Sequence, residues 1–112
     1  MPNKETLEKA NSAVTAGDNE GFLSFCTDDV VWRFIGDQTL NGKQAVRDYM
    51  DKTYLEPPKF DVEQLIAEGD FVTAVGKISL NENGKTTRYS YCDIWKFRDG
   101  KMQELKAFVI AE

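Results

Sequence analysis

The sequence predicts an α+β protein in which three helices surround one early strand and precede a curved, four-stranded antiparallel sheet. Residues 4–16, 19–26 and 43–55 place their apolar side chains at helical spacing. From residue 60 onward, alternating apolar and polar side chains form runs separated by glycine-containing turns, which is the pattern of an antiparallel meander. No linker, internal repeat or low-complexity segment interrupts the 112 residues, so we expect a single domain over residues 1–112.

Capping residues and apolar stripes mark the helices. Gly17 can end the first helix, and Asp18 is suited to cap the N-terminus of the second. The third helix follows Gly42, and Pro57 and Pro58 stop it. The second helix is expected to contribute three residues to the core, namely Phe22, Leu23 and Phe25. The third helix carries an apolar stripe formed by Ala45, Val46, Tyr49, Met50 and Leu55.

Runs of β-branched and aromatic residues mark the strands. Residues 30–34, VVWRF, form the early strand and place Trp32 and Phe34 on one face. The acidic pair before it, Asp28 and Asp29, is expected to form a turn rather than a catalytic dyad. The rest of the chain is expected to comprise a loop at 35–41, strands at 60–67 and 71–80, and a final hairpin at 89–110.

The final hairpin carries one unusual carboxylate, Asp93. It lies at period-two spacing among Tyr89, Tyr91 and Trp95, so all four side chains are expected on one face of a strand. The sequence allows two explanations: a pocket with a polar group at its floor, or a core with one acid in it.

The length of the hairpin loop decides what faces Asp93, because a slip of one residue moves every side chain to the other face. A two-residue loop at 99–100 would pair Asp93 with Lys106 in a cross-strand salt bridge. We favour a three-residue loop at 98–100, which groups Asp93 with Leu105, Ala107 and Val109 and segregates the faces better by polarity. The outer face would then comprise Ser90, Cys92, Ile94, Lys96, Glu104, Lys106, Phe108 and Ile110.

The charge of the chain argues against two classes of partner. Its net charge is −5 and its pI about 4.8, and no cluster of lysine and arginine is present. Binding to nucleic acid or to an anionic membrane surface is therefore not expected. No apolar run approaches the ~20 residues that span a bilayer, and the N-terminus lacks the apolar region of a secretory signal. We therefore expect a cytoplasmic protein.

The chain contains no histidine, which removes the usual general base near neutral pH and the commonest metal ligand. Cys26 and Cys92 lack a CxxC spacing and are expected to be reduced and buried. No metal site and no cofactor are expected. Any enzymatic chemistry would rest on carboxylates, tyrosines or a lysine.

Four segments resemble the SnoaL-like branch of the nuclear transport factor 2-like superfamily. They are AGDNEGFLSFCTDDVVWRFIGD, NGKQAVRDYM, LIAEGDFVTAVG and YCDIWKFRDGKMQELKAF, and they follow the order of the family. The resemblance implies a cone-shaped, cystatin-like roll in which a strongly curved, mostly antiparallel sheet wraps around three N-terminal helices. It also implies an interior cavity for a small hydrophobic molecule and a homodimer formed through the outer sheet face.

The superfamily includes ketosteroid isomerases, limonene epoxide hydrolases and polyketide cyclases. Asp93, in CDIWKF, matches the isomerase aspartate that stays protonated and donates a hydrogen bond to an oxyanion. The general base of the isomerase would fall near Phe34 and its oxyanion tyrosine near Ala10, so two of three roles are missing. The hydrolases and cyclases carry an acid at the position of Ala107, and the cyclase carries a histidine near Leu105; neither is present.

The pocket implied by the resemblance is lined by Trp32, Phe34, Tyr89, Tyr91, Asp93, Leu105, Ala107 and Val109, with Asp93 and Tyr91 as candidate catalytic residues. Two interpretations of Asp93 remain open. It is either a hydrogen-bond donor or base with a pKa raised by desolvation, or a structural acid paired with a tyrosine hydroxyl, Arg33 or Arg88. The aromatic residues either line a pocket or fill the core.

Three hypotheses of function follow, in order of preference. The first is a pocket that binds a small hydrophobic ligand without a known reaction. The second is an isomerase or cyclase acting on a small steroid-like or polyketide-like carbonyl compound. The third is a structural dimer with a closed interior.

Overall fold

The computed structural model describes residues 2–112. Its helices are α1 (Asn3–Thr15), α2 (Asn19–Leu23) and α3 (Lys43–Thr53). Its strands are β1 (Cys26–Phe34), β2 (Gln38–Asn41), β3 (Lys59–Glu68), β4 (Phe71–Glu82), β5 (Lys85–Arg98) and β6 (Lys101–Ala111). The strands form one open, curved sheet in the order β2-β1-β6-β5-β4-β3, and only the β1–β6 pair is parallel. The predicted α+β fold class, with three helices packed in a mostly antiparallel sheet, is confirmed.

The helices bury most of the side chains that their spacing predicted, but α2 ends at Leu23, so Phe25 follows the helix and is only partly buried. The predicted N-cap of α2 is confirmed, because the Asp18 carboxylate accepts a 2.9 Å hydrogen bond from the Gly21 N–H. Leu7 of α1 and Met50 of α3 are fully buried against the concave face of the sheet. Leu55 does not belong to the predicted stripe, because α3 ends at Thr53 and the Leu55 side chain is 77% exposed.

Two predictions about the region around β1 are wrong. Asp28 and Asp29 do not form a turn but lie within β1, which begins at Cys26. Between Cys26 and Val31 the pairing of β1 with β6 shifts register, and this irregularity leaves both carboxylates in solvent. Asp29 accepts a 2.8 Å hydrogen bond from Arg98 of β5. The predicted loop at 35–41 contains the short strand β2, which pairs antiparallel with β1.

The hairpin between β5 and β6 turns differently from the prediction but presents the predicted face. Its loop has two residues, Asp99 and Gly100, both with positive φ (52° and 79°), as a type I′ turn requires. A bulge between Lys96 and Phe97 then shifts the register by one residue. Asp93 therefore pairs with Ala107 rather than with Lys106. The prediction of a three-residue loop is therefore wrong. The prediction that Leu105, Ala107 and Val109 share a face with Asp93 is correct.

The two cysteines differ in environment. Cys26 is buried, and burial raises the pKa of its thiol to about 12. Cys92 is only partly buried, contrary to expectation, because it lies on the outer face of β5. Neither cysteine forms a disulfide.

Candidate functional site

A cavity of about 70 Å³, here called the floor cavity, lies beside Asp93 on the concave face of the sheet. Seven of the eight predicted pocket residues line it: Trp32, Phe34, Tyr91, Asp93, Leu105, Ala107 and Val109. Strand register explains this convergence, because Asp93 pairs with Ala107 across β5 and β6, and Ala107 pairs with Phe34 across β6 and β1. The eighth residue, Tyr89, lies farther along β5 and lines a neighbouring cavity instead.

Asp93 has an unusual proton affinity. Burial raises the pKa of its carboxyl from the ordinary 3.8 to about 7, since an apolar environment disfavours the ionised form. Among residues 2–112, Asp93 takes part in no salt bridge. Arg33, one of the partners considered for a structural role, instead bonds Glu104 at 2.9 Å on the outer face. A carboxyl with this pKa can both give and take a proton near neutral pH.

Two further polar groups at the floor cavity lack a hydrogen-bond partner within the described part of the chain. They are the indole Nε1 of Trp32 and the hydroxyl of Tyr91, whose residues are only 4% and 6% exposed. Burial, with the charge of Asp93 as a second cause, raises the pKa of Tyr91 to about 12, so the hydroxyl keeps its proton. An unpaired buried donor costs about 1–3 kcal/mol, and a ligand that brought an acceptor oxygen to either donor would offset that cost.

A second, outer cavity of about 360 Å³ adjoins the floor cavity. Tyr49 and Tyr89 contribute to its wall, and Asp37, Glu82 and Thr87 supply its polar lining. Among residues 2–112, no lysine or arginine lines either cavity, and neither cavity therefore favours an anionic ligand. The floor cavity alone has room for a few waters, whereas ligand pockets usually span ~300–1,000 Å³. The outer cavity lies within that range, and the floor cavity adds the space beside Asp93.

Several residues that line the floor cavity were not predicted from the sequence. Asn11 lies on α1 between the buried positions Leu7 and Val14, and a polar residue within an apolar helical stripe is a signal that could have identified it. Tyr54 follows the end of α3 and carries no comparable signal. Phe60 reaches the cavity only because β3 pairs with β4 at Ile78.

A larger groove of about 810 Å³ lies between α1 and β3, and its lining is about half polar and half apolar. Lys4, Glu8 and Glu63 contribute charges of both signs to it, and none of the groups with a raised pKa lines it. Despite its volume, it lacks the convergent polar groups of a ligand site. The candidate site is therefore formed by the floor cavity and the outer cavity.

Neither a metal site nor a membrane span is evident in residues 2–112. No group of three or more cysteine, aspartate or glutamate side chains in this part of the chain could hold a metal ion. No helix within it is long and apolar enough to cross a membrane.

Comparison with solved structures identifies many relatives of the same fold. An NTF2-like protein of unknown function from Cytophaga hutchinsonii is 23% identical, with a TM-score of 0.78 over 97% of this chain and 100% of its own. An LEH-like epoxide hydrolase of M. tuberculosis is 14% identical, with a TM-score of 0.87 over 96% of this chain and 81% of its own. The epoxide hydrolase/cyclase-like enzyme SalBIII, from polyether salinomycin formation, is 17% identical, with a TM-score of 0.88 over 96% of this chain and 89% of its own.

These identities are low enough that the structural likeness concerns the fold alone. Among curated proteins, no sequence matches this chain. The family model of the SnoaL-like domain matches residues 7–105, which include every helix and strand at least in part. Four segments of the sequence resemble the SnoaL-like family, and the match to the family model confirms that resemblance. The chain belongs to the SnoaL-like domain family.

Proposed function

We propose that this protein binds a small, uncharged and largely apolar molecule that carries one hydrogen-bonding end. The observation that supports this most strongly is that the acid Asp93 and two residues with unpaired donor groups, Trp32 and Tyr91, line one largely apolar cavity. A ketone oxygen can accept a hydrogen bond from each of these groups while Asp93 is protonated. The surrounding aromatic and aliphatic side chains favour an apolar body.

Binding of a cyclic ketone should depend on Asp93 and on pH. Only protonated Asp93 can donate to the ketone oxygen, so a pKa of about 7 predicts that affinity falls about tenfold between pH 6 and pH 8. Asp93→Leu should weaken binding at pH 6 by about tenfold, the effect of one lost hydrogen bond. Quenching of the fluorescence of Trp32 and Trp95, which both line the floor cavity, measures the affinity.

Asp48→Leu is the matched control, because Asp48 lies exposed on α3 and lines neither cavity. It should bind the ketone as the wild-type protein does. Equal affinity in wild type and Asp93→Leu at all pH values would contradict the proposed role of Asp93.

A second candidate function is isomerisation or cyclisation of a small carbonyl compound. Asp93 is the only acid that lines the floor cavity among the described residues, and its pKa lies where one carboxyl can both remove and return a proton. In an isomerisation, ionised Asp93 would take a proton from the carbon next to the carbonyl. Tyr91 O–H and Trp32 N–H would stabilise the enolate oxygen, and protonated Asp93 would return the proton to a more distant carbon.

We also propose that two copies pair through the outer sheet face. Its apolar end is open to solvent, with Phe108 40% and Ile110 69% exposed. Light scattering at micromolar concentration should give twice the chain mass of 12.7 kDa, and Ile110→Lys should give the monomer. A wild-type monomer would exclude this assembly.

A further inference from the structure

One of the residues between the floor cavity and the outer cavity, Tyr54, does not belong to the sheet. Four residues line both cavities: Phe34, Tyr54, Ile78 and Val109. Three of them lie on β1, β4 and β6, where pairing with neighbouring strands fixes the backbone. Tyr54 instead follows α3 in a connecting segment, tied to the helix by a 2.9 Å hydrogen bond from its N–H to the Met50 carbonyl.

Tyr54 lines the floor cavity together with Asp93. Burial raises the pKa of its hydroxyl well above the ordinary value, and the charges of Tyr49 and Asp93 add to that effect. Its ring also packs edge-on against Tyr49, with the ring centroids 6.1 Å apart. Tyr54 thus lies between a tyrosine of the outer cavity and the acid of the floor cavity.

The volumes of the two cavities limit which part of a ligand each can hold. The floor cavity, at about 70 Å³, contains the polar groups but has room only for a few waters. The outer cavity, at about 360 Å³, has room for the body of a small molecule, but Asp93 does not line it. A molecule that reaches Asp93 from the outer cavity must therefore extend into both cavities, past the side chains that line both, Tyr54 among them.

We infer that Tyr54 controls access to Asp93 and determines which ligands the site accepts. The ligand is an elongated, uncharged molecule whose polar end lies in the floor cavity and whose apolar body stays in the outer cavity. This inference rests on the proposed binding function. Connecting segments move more readily than paired strands, so the side chain that moves aside is that of Tyr54 rather than of Phe34, Ile78 or Val109.

Stopped-flow fluorescence with 4-cyclohexylcyclohexanone, a ketone of two linked rings, tests this role. Trp32 and Trp95 are the two tryptophans of the chain and line only the floor cavity, so their signal reports arrival beside Asp93. We expect Tyr54→Ala to bind this ketone at least tenfold faster and tenfold more tightly than wild type, because no ring must be displaced. Tyr54→Leu, which keeps an apolar contact if Tyr54→Ala does not fold, should show an intermediate increase.

Leu55→Ala is the matched control, since Leu55 is the exposed neighbour of Tyr54 and lines neither cavity. It should bind at the wild-type rate. Binding by Tyr54→Ala and Tyr54→Leu with rate and affinity within threefold of wild type would overturn the role of Tyr54 alone. If neither wild type nor any folded variant responds to this ketone or to cyclohexanone, the proposed binding function fails together with this inference.

Discussion

Between pH 4 and pH 8, the wild-type protein is expected to lose about 4 kcal/mol of unfolding free energy relative to Asp93→Asn, and to lose almost nothing further above that range. The Asp93 carboxyl has a pKa of about 7 in the folded protein and an ordinary value of 3.8 when the chain unfolds. Within this window the folded state holds a proton that the unfolded state has released, so stability falls as pH rises. Each pH unit of difference corresponds to about 1.36 kcal/mol.

Urea denaturation of both proteins at half-unit pH intervals measures this difference, because titrations common to both cancel. Asp29→Asn provides a contrast of opposite sign. Hydrogen bonds from Arg98 lower the pKa of Asp29, so wild type should lose stability relative to this variant as pH falls toward acid. A difference between wild type and Asp93→Asn that does not change from pH 4 to pH 7 would show that Asp93 titrates normally.

If the second candidate function holds, conversion of 3-cyclohexen-1-one to its conjugated isomer should fall at least a hundredfold in Asp93→Asn. An amide cannot take the proton from the carbon next to the carbonyl, and a positioned general base contributes about 10²–10⁴ in rate. The wild-type kcat/KM should rise with pH through about 7, as Asp93 ionises. Ketone binding should follow the opposite trend, so the two roles of Asp93 can be separated.

Absorbance of the conjugated ketone follows the reaction. Tyr91→Phe removes one hydroxyl and keeps the ring, so it should lower kcat and leave the pH profile unchanged. Asp48→Asn should retain wild-type activity. Unchanged turnover in Asp93→Asn removes Asp93 from the mechanism, and absence of turnover in wild type contradicts this candidate function.

Strand periodicity predicted the face of β5 that lines the floor cavity. Tyr91, Asp93 and Trp95 line one cavity because side chains two residues apart leave a strand on the same side. The hairpin loop was predicted wrongly because the sequence does not show where a bulge will form. The bulge that restores the predicted face allows both Phe97 and Met102 to be buried beside the turn.

The short strand β2 and the position of Tyr54 were not predictable in the same way. β2 has four residues with no alternation of buried and exposed side chains, and it forms because β1 offers it a pairing edge. Tyr54 lies beyond the end of α3, where neither helical nor strand spacing applies. Its place between the cavities depends on how the segment after α3 packs against β1, β4 and β6.

The sequence by itself determined the α+β class, the membership of the SnoaL-like family and the grouping of Asp93 with aromatic residues, since these follow from local periodicity and segment order. Only the tertiary structure decided that Asp93 faces a cavity of about 70 Å³ with Tyr54 between it and the larger outer space. The volume of a cavity is what remains after side chains from distant elements have packed, and no local pattern in the chain records that remainder.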